Sequence, residues 1–259
     1  MTTNLRVTAI QMDIVWENPA ANRSQIEKLL PARENSDVVI LPEMFSTGFT
    51  PNGKLVAETM NGSTVRWMIK SAAEMNYAIA GSLVIQENRK IYNRFVRANP
   101  NGEVVKYDKR HLFTYGKEHL HYTQGDKRVI INYAGWRILP QICYDLRFPV
   151  WSRNCNDYDL AIYVASWPAT RIWIWDHLLV ARAIENQAYI IGVNRVGTYG
   201  MGLEYSGHSQ IINPKGEIIQ KSKIQGEENM NAILDFEMVQ NWRSFFPALE
   251  DRDSFLISQ

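Results

Sequence analysis

Apolar and polar residues alternate along LRVTAIQM, with β-branched residues in several apolar slots, so the pattern predicts a strand. The next stretch, NPAANRSQIEKLLPA, puts Ile26, Leu29 and Leu30 on one helical face, with Asn18 as a cap ahead of Pro19. SDVVILPEMF is then a fully apolar strand ending at Pro42, which completes a β-α-β unit. A second copy of the pattern follows, with STVRWMIKSAAEMN as a helix capped by Ser63 or Thr64 and YAIAGSLVIQ as a strand.

From Asn88 the pattern changes to hairpins. KIYNRFVRANPNGEVVKYDKRH predicts two strands around Pro100, Asn101 and Gly102, and KRVIINYAGWRILPQIC a further pair around Ala134 and Gly135. RFPVWSRN reads as a short helix, YDLAIYVASWP as a buried strand, IWIWDHLLVARAIENQAY as a long helix and AYIIGVNRVG as a strand. A hairpin in HSQIINPKGEIIQKSK turns at Asn213 to Gly216, and ENMNAILDFEMVQNWRSFF closes the pattern with a strand and a helix. No linker, low-complexity run or heptad repeat interrupts the alternation, so residues 1–259 are expected to form a single domain. Alternating strands and helices with several hairpins predict an α/β fold of two stacked mixed sheets, with helices on the outer faces.

Composition narrows the partners. Hydrophobic residues make up 46% of the chain and charged residues 21%, enough apolar surface for a sizeable core. The 28 basic and 27 acidic residues are scattered and leave a net charge of +1, so nucleic acid and an anionic membrane surface are not expected partners. Near the N-terminus the apolar stretch is interrupted by Gln11 and Asp13, and no later run approaches a membrane span; the expected location is the cytoplasm. Cys143 and Cys155 are the two cysteines, too few for a disulfide framework, and a reducing compartment keeps both as thiols.

The candidate chemistry lies where apolar strands end. Glu43 follows VVILP, Lys109 follows VVKYD, Cys143 ends RILPQI and Trp167 follows LAIYVAS. The carboxyl ends of strands in open α/β sheets are where ligands bind. A thiol must lose its proton to act as a nucleophile; a carboxylate of raised pKa takes it, and a lysine favours the thiolate and stabilises an oxyanion. Glu43, Lys109 and Cys143 supply one of each, but position at a strand end is also compatible with a packing cysteine and solvated charges.

LPEMF around Glu43, YDKRHLF around Lys109 and ICYDLRFP around Cys143 resemble, in order, the three signature motifs of the nitrilase superfamily, the carbon-nitrogen hydrolases. The likeness runs from LRVTAIQMD to the NPKGEII hairpin, and KEHLHY, VWSRN, NDYDLAIYVASWP and ARAIENQAYIIGVNRVG resemble its bacterial omega-amidase branch. The resemblance implies a four-layer α-β-β-α sandwich and a homodimer formed through outer helices. It implies hydrolysis of small 2-oxo acid amides such as 2-oxoglutaramate, with no metal or organic cofactor. Carried over residue by residue, it makes Cys143 the nucleophile, Glu43 the general base and then acid, and Lys109 the cation facing the tetrahedral intermediate. Tyr144 would give a backbone N–H to the oxyanion, and Glu118 in GKEHLHY would support the lysine. Phe45 and Trp167 would line a small pocket, and Arg147, Arg171 and Arg195 are the candidates for meeting a substrate carboxylate.

Other readings stand beside these. Arg147 could instead hold the turn after Cys143 through a salt bridge, and Phe45 and Trp167 could be core aromatics. Glu118, His119 and His121 form a Glu-His-x-His cluster, but alternation on a strand would turn its ends to opposite faces, and no third ligand at metal-site spacing follows. Trp173 and Trp175, two apart on a predicted helix, cannot share one core stripe, and the resemblance implies that one of them packs against another subunit. An amidase or carbamoylase acting on another small amide or an N-carbamoyl amino acid, and a non-catalytic binding or scaffold protein, are the competing functions.

Overall fold

The computed structural model describes residues 4–198 and 202–257. In chain order, β1 (Leu5–Gln11) leads through α1 (Pro19–Leu29) to β2 (Val38–Ile40), and one-turn α2 (Gly53–Val56) and α3 (Ser63–Met75) return the chain to β3 (Ala78–Glu87). The hairpin β4 (Lys90–Ala98) and β5 (Val104–Asp108) follows, then β6 (Ile131–Tyr133) and β7 (Trp136–Ile142). One-turn α4 (Pro149–Ser152), β8 (Leu160–Ala165), α5 (Ile172–Asn186) and β9 (Tyr189–Asn194) come next. The chain closes with β10 (Val196–Thr198), β11 (Glu204–Ser206), β12 (Gln210–Ile212), β13 (Ile218–Lys221), β14 (Glu228–Leu234) and α6 (Phe236–Phe245).

Among the described residues the strands form two six-stranded sheets, ordered β14-β1-β2-β3-β4-β5 and β13-β12-β9-β8-β7-β6, and a two-stranded β10-β11 pair. Each is built alike: β1, β2 and β3 run parallel, as do β7, β8 and β9, and antiparallel strands flank both trios. The trios explain the run of apolar residues seen in VVIL and LAIYVA, because strands covered on both faces show no alternation. Val7, Val38, Ala80 and Phe95 from one sheet meet Ile138, Ile142, Ile162 and Ile191 from the other in the inter-sheet core. Ile26 of α1 and Val65, Met68 and Ala72 of α3 cover the outer face of the first sheet. Trp175, Leu179 and Ala183 of α5 cover the second. Each fully buried Val, Leu, Ile, Met or Phe among them contributes on the order of 1.5–3 kcal/mol. The architecture is the α-β-β-α sandwich of two mixed sheets that the alternation predicts.

Local signals resolve as expected with two exceptions, the α3 cap and AYIIGVNRVG, which breaks at Arg195 into β9 and β10 of different sheets. Asn18 caps α1 by accepting from the Ala21 N–H at 3.1 Å, and the Ala134-Gly135 turn takes positive φ at both residues, +49° and +83°, as a tight hairpin requires. The cap expected from Ser63 or Thr64 comes instead from Glu58, whose carboxylate accepts the Thr64 N–H at 2.8 Å. α3 starts one residue earlier than the cap assignment needs, so both hydroxyl residues fall in its first turn. Trp175 is fully buried while Trp173, two positions away, is 63% exposed. No helix among the described residues is long and apolar enough to cross a membrane.

Candidate active site

The ends of four strands from both sheets converge on one pocket. Glu43 lies three residues beyond β2, Lys109 directly follows β5, Cys143 follows β7, and Ser166 and Trp167 follow β8. Together with Phe49, Phe113, Tyr144, Arg147, Arg171 and Tyr205 they enclose a volume of about 330 Å³. A larger groove of about 970 Å³ runs along β13 and β14, lined by Arg6, Tyr189 and Asp235 among others, and touches none of these residues.

Lys109 is buried, and its Nζ stands 2.9 Å from Glu43 Oε1 and 3.0 Å from Glu118 Oε2, with both carboxylates themselves buried. An amide joins the lysine in bridging the two acids, which would otherwise repel each other. Asn93 Nδ2 donates to Glu43 Oε1 at 2.7 Å and to Glu118 Oε1 at 3.2 Å. The orientation of that amide follows from its neighbours: the Met44 N–H donates to Ser82 Oγ at 2.8 Å, which directs the hydroxyl hydrogen to Asn93 Oδ1, also at 2.8 Å. Glu43 is fixed from the second sheet as well, accepting the Ser166 N–H at 2.8 Å on Oε2. Glu118 also accepts the Phe113 N–H, at 2.6 Å.

Charge follows from this packing. Burial works against the Lys109 ammonium, but Glu118 and Glu43 outweigh it and hold its pKa above the ordinary lysine value. Burial raises the Glu118 carboxyl, with Lys109 opposing and Glu43 adding to the rise. The Cys143 thiol is pushed well up, first by burial and then by Glu43, against the opposing pull of Lys109. A thiol so placed keeps its proton near neutrality until a base removes it as it attacks.

The backbone at Cys143 explains how a strand presents it. Alternation on β7 sends Leu139 beneath α5, and continuing it would bury Cys143 on the same face. Instead φ at Cys143 is +46°, and the chain enters a 3-10 turn over Cys143–Arg147. Such a conformation costs a non-glycine residue on the order of 1–3 kcal/mol and marks a position held by its surroundings. The residue then packs against both the inter-sheet core and the layer under α5 while lining the pocket. Tyr144 is the second residue of this turn, so its N–H has no acceptor within the turn.

Several expectations shift. Phe45 does not line the pocket: it is fully buried in the core beneath α3, 6.3 Å from the Trp67 ring, and lies so close over Gly81 that a Cβ there would stand 2.7 Å from Phe45 Cδ1. Phe49, four residues later, lines it instead, 5.5 Å from Lys109 Nζ. The chain turns over at Met44, where φ is +45°, and this reverses which aromatic faces the site. Trp167 does line the pocket, and its indole lies under the Arg147 guanidinium at 5.2 Å. Arg195 is buried away from the pocket, bonded to Asp13 Oδ1 at 2.8 Å. Arg147 and Arg171 are in the pocket wall, and neither has an ion pair among the described residues. Glu118 is on a 3-10 turn rather than a strand; the turn points Glu118 to Lys109 and leaves His119 and His121 exposed. Asn93, Ser82 and Ser166 escaped the sequence reading. The available signal was an asparagine in the middle of the strand IYNRF, where asparagine is disfavoured unless it has a polar partner.

Residues 6–244 match the carbon-nitrogen hydrolase family. The chain is 47% identical over 251 residues to an omega-amidase, YafV, of Escherichia coli, covering 97% of this chain and 98% of that protein. It is 31% identical over 251 residues to a 2-oxoglutaramate amidase of Bacillus subtilis, covering 95% and 96%. Among solved structures, a CN-hydrolase superfamily protein of Xanthomonas campestris with an arsenic adduct in its active site superposes with a TM-score of 0.96 at 40% identity, covering 98% of this chain and 99% of the other.

Proposed function

The chain belongs to the carbon-nitrogen hydrolase family and is an amidase, and from that premise we propose that it hydrolyses the terminal amide of small 2-oxo dicarboxylic acid monoamides such as 2-oxoglutaramate. One observation carries the catalytic reading: a buried lysine ion-paired to two buried carboxylates opens onto the same pocket as the largely buried thiol of Cys143 at a strained strand end. Cys143 is the nucleophile. Its thiol passes a proton to Glu43 as the sulfur attacks the amide carbon, and the oxyanion is met by Lys109 and by the Tyr144 N–H. Glu43 returns the proton to the nitrogen, the C–N bond breaks and ammonia leaves a thioester on Cys143. Glu43 then takes a proton from water as it attacks the thioester carbonyl, and gives it back to the departing sulfur. Glu118 keeps Lys109 charged and in place. No step calls on a metal or an organic cofactor.

The pocket supports the substrate class. Arg147 and Arg171 carry charge in the wall without a protein counterion among the described residues, and stack on Trp167, Phe113 and Tyr115. A guanidinium so oriented suits a carboxylate at the far end of a short substrate. Two curated relatives named for omega-amide and 2-oxoglutaramate hydrolysis favour the same class. The test is ammonia release from a panel of small amides. 2-Oxoglutaramate is expected to be turned over best, and equal or better turnover of N-carbamoyl amino acids would replace this reading with a carbamoylase. Cys143→Ala should abolish turnover with the fold retained, with intact-mass detection of an acyl adduct on wild-type Cys143 as the positive counterpart. Arg147→Gln and Arg171→Gln should raise KM for the anionic amide by about 10-fold or more and leave neutral short amides nearly unchanged. The same reading takes residues 1–259 as one catalytic domain acting in the reducing cytoplasm as a homodimer, for which the 63% exposed Trp173 on α5 is the natural contact. Light scattering would give about twice the 29.9 kDa of the chain.

A further inference from the structure

Lys109 and Cys143 come from different sheets, and the catalytic reading requires their separation to be fixed. Asp145, two residues after Cys143 and fully buried, accepts four hydrogen bonds. Oδ1 receives the His111 backbone N–H at 2.9 Å and His111 Nδ1 at 2.8 Å; Oδ2 receives the Tyr107 hydroxyl at 2.8 Å and the Ile142 N–H at 3.0 Å. Three of these donors come from the two residues that flank Lys109 at equal distance along the chain. The fourth comes from the residue directly before Cys143. A carboxylate has about four acceptor sites, so all are used.

The surroundings leave this group little freedom. The Tyr107 hydroxyl accepts from Trp151 Nε1 at 3.1 Å and from the Arg110 N–H at 3.2 Å, so its own hydrogen is directed to Asp145. The His111 ring stacks on Phe148 with centroids 3.7 Å apart and planes 5° from parallel, just past the turn that bears Cys143. Arg110 lies over the Trp151 ring at 5.2 Å. The Tyr107–Trp151, His111–Phe148 and Arg110–Trp151 contacts join residues 107–111 to residues 142–151 across the junction between the sheets.

We propose that Asp145 is a positioning residue that sets the separation of Lys109 and Cys143, by bonding on one side to the segment that carries the lysine and on the other to the turn that carries the thiol. The proposal rests on the reading of Cys143 as nucleophile and Lys109 as oxyanion partner. Asp145 is buried outside the pocket lining; it acts through the backbone at Cys143, whose positive φ needs an external restraint, and through the two residues around Lys109.

Asp145→Asn keeps the shape but replaces one acceptor oxygen with an NH₂ group, which accepts nothing, so one pair of donors, Tyr107 with Ile142 or the two of His111, loses its acceptor. The expected result is a fall in kcat on the order of 10²-fold with KM for 2-oxoglutaramate within about threefold of wild type, since displacement of reacting groups is felt in the chemical step. Active sites are counted by stoichiometric alkylation of Cys143 in a Cys155→Ser background, which removes the exposed second thiol, and folding is followed by near-UV circular dichroism. Tyr107→Phe, which removes one of the four bonds, should lower kcat in the same direction but less, again at nearly constant KM. A folded Asp145→Asn with wild-type kcat per titrated site overturns the proposal, as does a loss explained wholly by fewer titratable sites. If Asp145→Asn does not fold, Tyr107→Phe decides: reduced kcat per site supports the proposal and wild-type kcat per site overturns it. Cys143→Ala measured in parallel separates the two layers. Full activity in that variant removes the nucleophile reading and the proposal with it, whereas its inactivity beside an unaffected Asp145→Asn removes the proposal alone.

Discussion

Glu118→Gln tests whether the second carboxylate on Lys109 matters beyond filling space. Lys109 Nζ lies 2.9 Å from Glu43 and 3.0 Å from Glu118. At an effective dielectric near 20, each contact amounts to about 5–6 kcal/mol of Coulomb attraction. Taking an ammonium out of water costs several kcal/mol after relaxation. With two carboxylates the charge is held with a wide margin, and with one the opposing effects are nearly equal. The substitution keeps the size of the side chain and an amide oxygen for the Phe113 N–H, so folding should survive. The oxyanion would then face a lysine that is charged less of the time and tethered on one side only. The expected loss in kcat is on the order of 10²-fold, the size seen when one oxyanion donor is removed.

The pH dependence gives the sign. In the wild type Glu118 and Glu43 hold the Lys109 pKa above its ordinary value, so activity should not fall through loss of this proton over the alkaline working range. Removing Glu118 takes away the largest attraction that supports the ammonium, so its pKa drops and the proton leaves at lower pH. A new descending basic limb should therefore appear in kcat. Ammonia release from 2-oxoglutaramate across alkaline pH, with kcat and KM fitted at each point, is the measurement. A Glu118→Gln enzyme with kcat within about threefold of wild type and no new basic limb would refute the electrostatic argument.

Asn93→Ala removes the donor shared by Glu43 and Glu118 and the acceptor of the Ser82 hydroxyl, and should cost about 3 kcal/mol of stability by urea titration. Gly125→Ala would put a Cβ 2.2 Å from the Asp108 carbonyl oxygen, beside the Lys109 carbonyl that accepts the Gly125 N–H at 2.8 Å; melting should show a loss of about 1–3 kcal/mol, with a fall in kcat exceeding any change in KM. Glu87 is drawn by hydrogen bonds from Arg94 and Lys106 from the ordinary 4.5 down to about 2. A depressed carboxyl stabilises the fold above its unfolded value and ceases to do so as pH falls toward the folded one, so urea midpoints of Glu87→Gln should decline less than wild type across that acid window.

Strand ends were legible because they are written locally: a run of apolar residues stops and a polar one follows. Glu43, Lys109 and Cys143 could be picked out this way, and ordered motifs joined them into one candidate site. The split between Trp173 and Trp175 was equally local, since a helix fixes the angle between neighbours. Phe45 and Phe49 defeated the same reasoning. Both follow β2 closely, and only the left-handed backbone at Met44, followed by packing over Gly81, decides that the first enters the core and the second the pocket.

What the sequence by itself determined is therefore most of the elements, their period, and the residue types at the ends of the parallel strands; short α2 and the β10-β11 pair were not among them. Period and punctuation act over a few residues, and the chain carries them whatever it packs against. Which ends meet is a property of two sheets stacked with their parallel trios side by side. That stacking brings the Ser166 N–H from β8 to Glu43, slots Asn93 between two acids, turns Arg195 to Asp13 while leaving Arg147 and Arg171 in the pocket wall, and closes Asp145 over both Tyr107 and His111. Partners so far apart along the chain leave no local signature, because the burial that makes each contact strong exists only once both sheets are in place.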